Sequence, residues 1–274
     1  MALGEPEFDY IRSLVHERAA IVLEPGKSYL VESRLMPLAR AEGLATVAEL
    51  VARMRAQRAG RLHRLVVEAM TTNETSFFRD LRPFAALRDV VLPDLLARRA
   101  AERTLSLWCA AASSGQEPYS VAMLLREHFP QLEGWTVRLL ASDISEEMVA
   151  RAREGRYRQL EVNRGLPAAL LVKYFEKAGV EWRLREDVRR MVEFFTVNLA
   201  DAWPALPPMD AILVRNVLIY FDLETKRAIL GRMRRLLRPD GYLFLGGAET
   251  TMNLDDAFER VVVSGTTCYR VAPA

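Results

Sequence analysis

Along the first seventy residues, apolar positions recur every three or four places. Tyr10, Leu14 and Val15 mark one helical face, and Leu35, Leu38 and Ala39 a second. Val47, Leu50, Val51 and Met54 mark a third, and Leu62, Leu65 and Val66 a fourth. Thr46 reads as an N-cap with Glu49 three residues on, while Gly43 and Gly60 read as breaks. Residues 1–70 therefore predict a small all-helical domain.

After Arg82-Pro83 the period changes. Short apolar runs at Leu105–Cys109, Val137–Ser142, Val192–Val197, Ala211–Val214 and Tyr242–Leu245 predict strands. Helical patterns near Pro118–Phe129, Glu146–Glu154 and Glu224–Leu237 lie between them. This alternation predicts an α/β domain over residues 71–274, a mostly parallel sheet with helices on both faces. Arg260–Val271 reads as two strands joined at Ser264-Gly265, a hairpin. From about Gly155 to Met191 the rhythm stops. That stretch is rich in Arg, Lys and Glu, with Tyr157, Tyr174, Phe175 and Trp182 interspersed, and predicts an insertion of a helix and a few short strands.

Composition narrows the classes. The 274 residues suffice for one large and one small domain, and 50% hydrophobic with 27% charged residues is ordinary for a globular chain. A net charge of +2 argues against general nucleic-acid binding. Cys109 and Cys268 lie far apart, and His16, His63 and His128 are scattered, so neither disulfide framework nor metal site is expected. Met1–Tyr10 carries Glu5, Glu7 and Asp9 without the apolar run of a signal peptide. No segment has the apolar length to span a bilayer, so a cytoplasmic protein without membrane insertion is expected.

The most informative chemistry follows the strand Leu105–Cys109. It runs into small residues and Gly115, then into Pro118 and a helix with Val121, Leu124 and Leu125 on its apolar face. A strand–turn–helix unit brings backbone close to a ligand at a helix N-terminus. A phosphate site would want several glycines and a cation. Here there is one glycine and an acid, Glu117, which favours a cationic or hydroxyl-bearing ligand; an ordinary βα turn is the alternative. Asp143 ends another strand, where its carboxylate can accept from ribose hydroxyls or, with Ser145, cap the helix containing Glu146 and Glu147.

Six segments then align with one family, in order, over nearly the whole chain: Met70–Asp80, Ser113–Met123, Ala141–Ser145, Phe195–Leu199, Val214–Phe221 and Gly241–Gly246. They resemble the CheR family, the S-adenosylmethionine-dependent methyltransferases that esterify glutamates on chemotaxis receptors. The resemblance implies a Rossmann-like methyltransferase sheet with a terminal antiparallel hairpin, an N-terminal all-helical domain and a small inserted β subdomain. It also implies S-adenosyl-L-methionine as cofactor and S-adenosyl-L-homocysteine as product. Asn73, Thr75 and Arg79 would fold over the methionine part, Arg79 offering a fork to the cofactor's carboxylate or the substrate's. Glu117 would meet the cofactor's cationic end directly or through water, with a first-turn helix acid as the alternative. Asp143 is implied as the ribose ligand, and Asn198 and Leu199 as adenine contacts. Arg215 and Asn216 would lie at the strand end nearest the transferring methyl. Tyr220 would lie near the acceptor, with a core tyrosine as the alternative; Phe77 and Phe78 read as packing.

Esterifying a carboxylate needs no general base, because a glutamate with a pKa of about 4.3 is already ionised at neutral pH. Alignment and partial desolvation carry the work, which suits a chain with no histidine constellation. Arg53, Arg55, Arg58, Arg61 and Arg64, with Lys27, Arg34 and Arg40, crowd the helical domain. They read either as a solvated surface or, by the resemblance, as steering for the glutamate-rich helices of chemoreceptors. Family members that tether to a receptor's C-terminal peptide carry a glycine-rich loop in the insertion. Here Tyr174–Trp182 has only Gly179, so tether-independent action is expected, by a monomer. A second departure is Gly246-Gly-Ala-Glu-Thr250, where His-Ser-Glu is commoner. The rival reading is a catalytically weak adaptor or sensor that binds the cofactor; retention of Arg79 and Tyr220 favours the enzyme.

Overall fold

Four helices form where the 3.6-residue period places them: α1 (Glu5–Ala19), α2 (Ser28–Ala41), α3 (Val47–Arg55) and α4 (Arg61–Met70). The computed structural model describes residues 3–57 and 60–272. Ile11, Val31, Leu35, Leu50, Met54 and Val66 are fully buried and make the helical core. Thr46 caps α3 by accepting from the Glu49 N–H at 3.1 Å, and Glu49 reaches back to the Ala45 N–H at 2.9 Å. Residues Tyr220–Thr225 group with this unit. The Val22 N–H donates to the Tyr220 carbonyl at 2.9 Å, Ile21 and Phe221 form an antiparallel bridge, and His16 lies 3.2 Å from Asp222.

The second unit, Asn73–Ile219 with Lys226–Ala274, holds the sheet. Short helices α5 (Arg82–Ala86) and α6 (Leu92–Arg98), joined by a π-helical turn, precede β1 (Thr104–Ala110). Then come α7 (Gln116–His128), β2 (Thr136–Asp143) and α8 (Glu146–Glu154). The insertion contributes β3 (Arg156–Arg158), α9 (Gln159–Val162), α10 (Ala168–Tyr174), β4 (Phe175–Ala178), β5 (Glu181–Leu184) and α11 (Glu186–Arg189). The sheet resumes with β6 (Val192–Thr196), β7 (Met209–Val214), α12 (Leu223–Leu236), β8 (Leu237–Leu245), β9 (Phe258–Val263) and β10 (Thr266–Val271).

The seven-stranded order is β6-β2-β1-β7-β8-β10-β9. The first five are parallel, and β10 runs antiparallel to both β8 and β9. From β1 the chain steps to β2 and then β6 in one direction, and from β7 to β8 in the other. Right-handed crossovers therefore put α7 and α8 on one face and α12 on the opposite face. Switching direction between β1 and β7 opens a crevice at the carboxyl ends of these strands. Ser264 (φ 48°) and Gly265 (φ 73°) both take the left-handed region that a two-residue hairpin loop requires.

Two features depart from the sequence pattern. β8 begins at Leu237, five residues before the apolar run, because a register shift between Met209 and Ala211 absorbs the intervening Pro239-Asp240-Gly241. A Cβ at Gly241 would lie 3.0 Å from the Arg238 and Asp210 carbonyls, so the irregularity needs glycine. The insertion forms an antiparallel sheet ordered β3-β5-β4, and it also braces the larger sheet. Tyr157 Oη donates to the Ser114 carbonyl at 2.8 Å, and a Cβ at Gly165 (φ 81°) would stand 2.0 Å from the Phe77 carbonyl oxygen.

Candidate active site

The turn after β1 holds its backbone in a strained conformation. Ala111 (φ 58°), Ser113 (φ 50°) and Gly115 (φ 92°) alternate into the left-handed region within five residues. Such conformations persist only where surroundings over-determine them. Here the Ala112 N–H bonds the Ser142 carbonyl at 2.8 Å, and Ser113 Oγ donates to the Asn73 carbonyl at 2.9 Å. A Cβ at Gly115 would meet Ala152, Tyr119 and Phe194 at 3.0–3.3 Å, so that glycine lets α7 close on the sheet. The backbone is thereby presented at the N-terminus of α7, which no side chain caps.

Asp143 closes β2 beside this turn and is buried. Its Oδ2 accepts the Ser113 N–H at 2.7 Å and its Oδ1 the Ser145 N–H at 3.0 Å. The helix cap is Ser145 instead, whose Oγ accepts the Met148 N–H at 3.2 Å. Burial pushes the Asp143 carboxyl up, against the lowering pull of the Ser145, Ser113 and Ile144 N–H groups. A carboxylate offers about four lone-pair positions, so acceptor capacity is left for hydroxyl donors.

Glu117 faces a cation of this same chain. Arg215, at the end of β7 with its side chain 2% exposed, donates to Glu117 Oε2 at 2.7 Å. Its other terminal nitrogen bonds Asp80 Oδ2 at 2.6 Å and the Arg79 carbonyl at 3.0 Å. Arg215 Nε is buried without a partner, and Glu117 Oε1 carries no hydrogen bond among the described residues. Burial raises the Glu117 carboxyl, with Arg215 opposing that rise.

The segment preceding the sheet is pinned by aromatic packing. Phe77 is fully buried, 5.0 Å from the Tyr157 ring centroid, and the Phe78 N–H donates to Ser120 Oγ at 2.9 Å. Both phenylalanines pack, as the pattern predicts. Asn73 is exposed, and Thr75 and Arg79 are half-buried. Arg79 Nη1 donates to the Glu74 carbonyl at 3.1 Å.

Other predicted residues fall differently. β6 stops at Thr196, one residue short of the predicted strand end at Val197, and Asn198 and Leu199 lie in the loop beyond it. Asn198 accepts from the Ala200 N–H at 3.1 Å and donates to Asp201 at 2.9 Å, while the Leu199 carbonyl accepts the Trp203 indole N–H at 3.2 Å. Asn216 follows Arg215 in the left-handed region (φ 59°), but Tyr220 groups with the helical unit. Many cations of that unit are engaged within it. Arg34 donates to the Met70 and Thr71 carbonyls and to Thr72, Arg53 and Arg61 share Glu42, and Arg55 bonds the Pro6 carbonyl. Arg58 lies outside the described residues.

One organising residue has little sequence signal. Glu249, beyond β8, accepts the N–H groups of Gly246 (2.6 Å), Asn216 (2.8 Å), Val217 (2.9 Å) and Ile219 (3.3 Å). It ties the ends of β7 and β8 together. A Cβ on Gly246 would stand 2.7 Å from Glu249 Oε2 and 2.8 Å from Asn216 N. The signal was the departure at Gly246–Thr250, whose glutamate stands three residues after that glycine.

The donor set fits a nucleoside-sulfonium cofactor: a buried strand-end carboxylate with spare acceptor capacity, a second carboxylate with a free oxygen, and backbone at a helix N-terminus that no side chain caps. With the strand order and terminal hairpin, these features define an S-adenosylmethionine-dependent methyltransferase domain. The family model described as CheR methyltransferase, SAM binding domain, matches residues 73–266, and the one described as CheR methyltransferase, all-alpha domain, matches residues 6–71. The chain belongs to the CheR methyltransferase family. It is similar to chemotaxis protein methyltransferase 1 of Pseudomonas aeruginosa (42% identity, covering 98% of this chain and 99% of that protein). It is also similar to the chemotaxis protein methyltransferases of Vibrio parahaemolyticus (38%; 99% and 98%) and Escherichia coli (35%; 99% and 93%).

Proposed function

We propose that this enzyme transfers a methyl group to glutamate side chains on the cytoplasmic helices of chemoreceptors, forming methyl esters. The observation that carries the reading is one sheet edge combining Asp143, the β1–α7 turn and the Glu117–Arg215–Asp80 chain, in a protein matched end to end by chemotaxis methyltransferases. S-adenosylmethionine, when bound, supplies an electrophilic methyl group with a neutral leaving group.

The chain's own residues then have distinct tasks. Asp143 accepts from vicinal hydroxyls with the capacity that Ser113 and Ser145 leave. Glu117 Oε1 accepts from a cationic amine, its other oxygen being held by Arg215. Asn73 and Thr75 supply polar groups over the methionine end, while Leu199 and the turn held by Asn198 flank the base. Arg215 holds Asp80 in place, and Asn216, next along the chain at the end of β7, is assigned to the cofactor side. Arg79 and Tyr220 are assigned to the substrate side, Arg79 orienting the incoming carboxylate through its fork. No group of the chain has to remove a proton, since the acceptor is ionised near neutral pH. Positioning and water exclusion are what the fold provides.

Incubation with a matched chemoreceptor and methyl-labelled cofactor tests this: the expected product is a base-labile methyl ester on the receptor, which releases labelled methanol on alkaline hydrolysis. Asp143→Ala is expected to weaken S-adenosylhomocysteine binding by about tenfold or more, as loss of a buried acceptor does. Absence of any base-labile label with every receptor supplied refutes the reading.

A further inference from the structure

Leu81 is both strained and unprotected. It sits at φ 45°, ψ −50°, the centre of a three-residue turn in which the Arg82 N–H donates to the Asp80 carbonyl. That geometry is rare for a residue with a Cβ, and glycine would adopt it with less strain. Its neighbours enforce it: Arg215 holds both Asp80 and the Arg79 carbonyl, Ser120 holds the Phe78 N–H, and Phe84 is buried just beyond. The result is a large apolar side chain held 66% exposed directly beside the Arg215–Asp80 pair.

It has companions. A cleft of about 650 Å³ opens beside Leu81, with Asp80, Arg82, Arg215 and Glu249 among its lining. Met252, on its wall, is 70% exposed. Ile219, whose N–H is held by Glu249, is 48% exposed. The turn that precedes α5 and the loops after β7 and β8 thus each carry an exposed apolar side chain close to charged groups that line the cleft or border it.

We infer that Leu81, Met252 and Ile219 form the docking rim for the substrate helix, gripping its apolar positions one turn from the target glutamate. This rests on the proposed receptor substrate. The occupant follows from continuity. Arg215 and Asp80 belong at once to the candidate reacting edge and to the cleft, so a helix delivering a carboxylate there lies across the rim. A helix places residues three and four positions from that glutamate on the same face, where apolar side chains meet these three. An amphipathic helix satisfies the apolar rim and charged interior together; a small free acid would leave the rim uncovered.

The test uses the full chain and a receptor cytoplasmic fragment, with initial rates read against receptor concentration. A Leu81→Ser, Met252→Ser double variant is expected to raise the receptor KM about tenfold with kcat and calorimetric S-adenosylhomocysteine affinity unchanged. Leu81→Met restores the KM of the Leu81→Ser single variant. Leu81→Gly raises KM without lowering the thermal midpoint, which separates contact from misfolding. An unchanged KM in the double variant overturns the docking rim. So does an equal loss of S-adenosylhomocysteine affinity, or a change only in sedimentation mass, which would assign the rim to a second copy of the chain. If the wild type makes no ester on any receptor, the proposed function and this inference fail together. A normal wild type with unaffected variants sinks the inference alone.

Discussion

Two buried arginines sit at opposite edges of the same sheet, each between two carboxylates. Arg99, where the strands begin, has every nitrogen engaged: Nε with Asp210 at 2.7 Å and both terminal nitrogens with Asp240 at 2.9 and 2.5 Å. Asp210 accepts the Ser106 N–H as well, at 2.8 Å. Arg215, where the strands end, leaves Nε unpartnered, and its partner Asp80 has a side chain 54% exposed. Neither residue whose carboxylate holds Arg99 is left-handed, whereas Asp80 (φ 70°), which holds Arg215, is. Similar chemistry is closed at one edge and open at the other. The closed cluster is architecture, and the open one is poised for a ligand.

The comparison breaks most visibly at Arg99. Arg99→Met leaves buried Asp210 with only the Ser106 N–H and the more distant Arg238 Nε at 3.5 Å, and breaking such a buried pair costs about 3–5 kcal/mol. The thermal midpoint of the sheet domain is expected to drop by about 10 °C, with S-adenosylhomocysteine affinity of the folded protein unchanged. Arg215→Met is expected to do the reverse. Burial raises the Glu117 carboxyl, so loss of Arg215 is met by protonation rather than by a stranded charge, and Asp80 reaches solvent; stability falls by about 1 kcal/mol while methyl transfer falls about 100-fold. Equal midpoint losses in the two variants, by calorimetry, would erase the distinction between the edges.

How far this contrast was legible in the sequence depends on distance along the chain. The turn at Ser113–Gly115, the strand-end Asp143 and the Ser264-Gly265 hairpin follow from local chemistry, and each stands where periodicity and turn residues predict. Glu117 was singled out as an acid at a ligand edge, but its partner lies 98 residues on. That pairing exists because β1 and β7 run side by side, with Cys109 opposite Leu213. Only strand order reveals such a neighbour. Glu249 was harder still, since a glutamate in a glycine-containing loop looks solvated until the backbone around it is seen. Tyr157 read as part of an irregular insertion, yet its hydroxyl braces the Ser114 carbonyl. Single residues of an insertion carry no period to show what they touch.

Glu249 offers a smaller perturbation confined to the open edge. Glu249→Gln removes the charge that the N–H groups of Gly246, Asn216, Val217 and Ile219 share, without creating a cavity. Charge-assisted bonds are about twice as strong as neutral ones, so a loss of about 1–3 kcal/mol is expected. Because the loops are near solvent, the expected readout is in kcat for receptor methylation, reduced about tenfold, with a small change in midpoint. A midpoint loss rivalling that of Arg99→Met would make this edge architectural too.

The smallest effect is one of sign. The Arg99 hydrogen bonds hold Asp240 below the usual carboxylate range. Its stabilising contribution is therefore complete above the unfolded value of about 3.9, and is lost as pH falls through the lowered folded value. Burial holds Glu117 above that range even with Arg215 beside it. Its ionised form opposes folding, so stability rises as pH falls through the raised folded value and levels off below the unfolded value of about 4.3. Thermal midpoints between pH 3 and 7 separate the two. The advantage of wild type over Asp240→Asn should shrink below about pH 4, while wild type should gain on Glu117→Gln as pH falls from 7 towards the unfolded value of about 4.3, by about 1–2 °C. If wild type instead loses ground to Glu117→Gln over that interval, the Arg215 attraction outweighs burial. The open edge would then be held by the same force as the closed one.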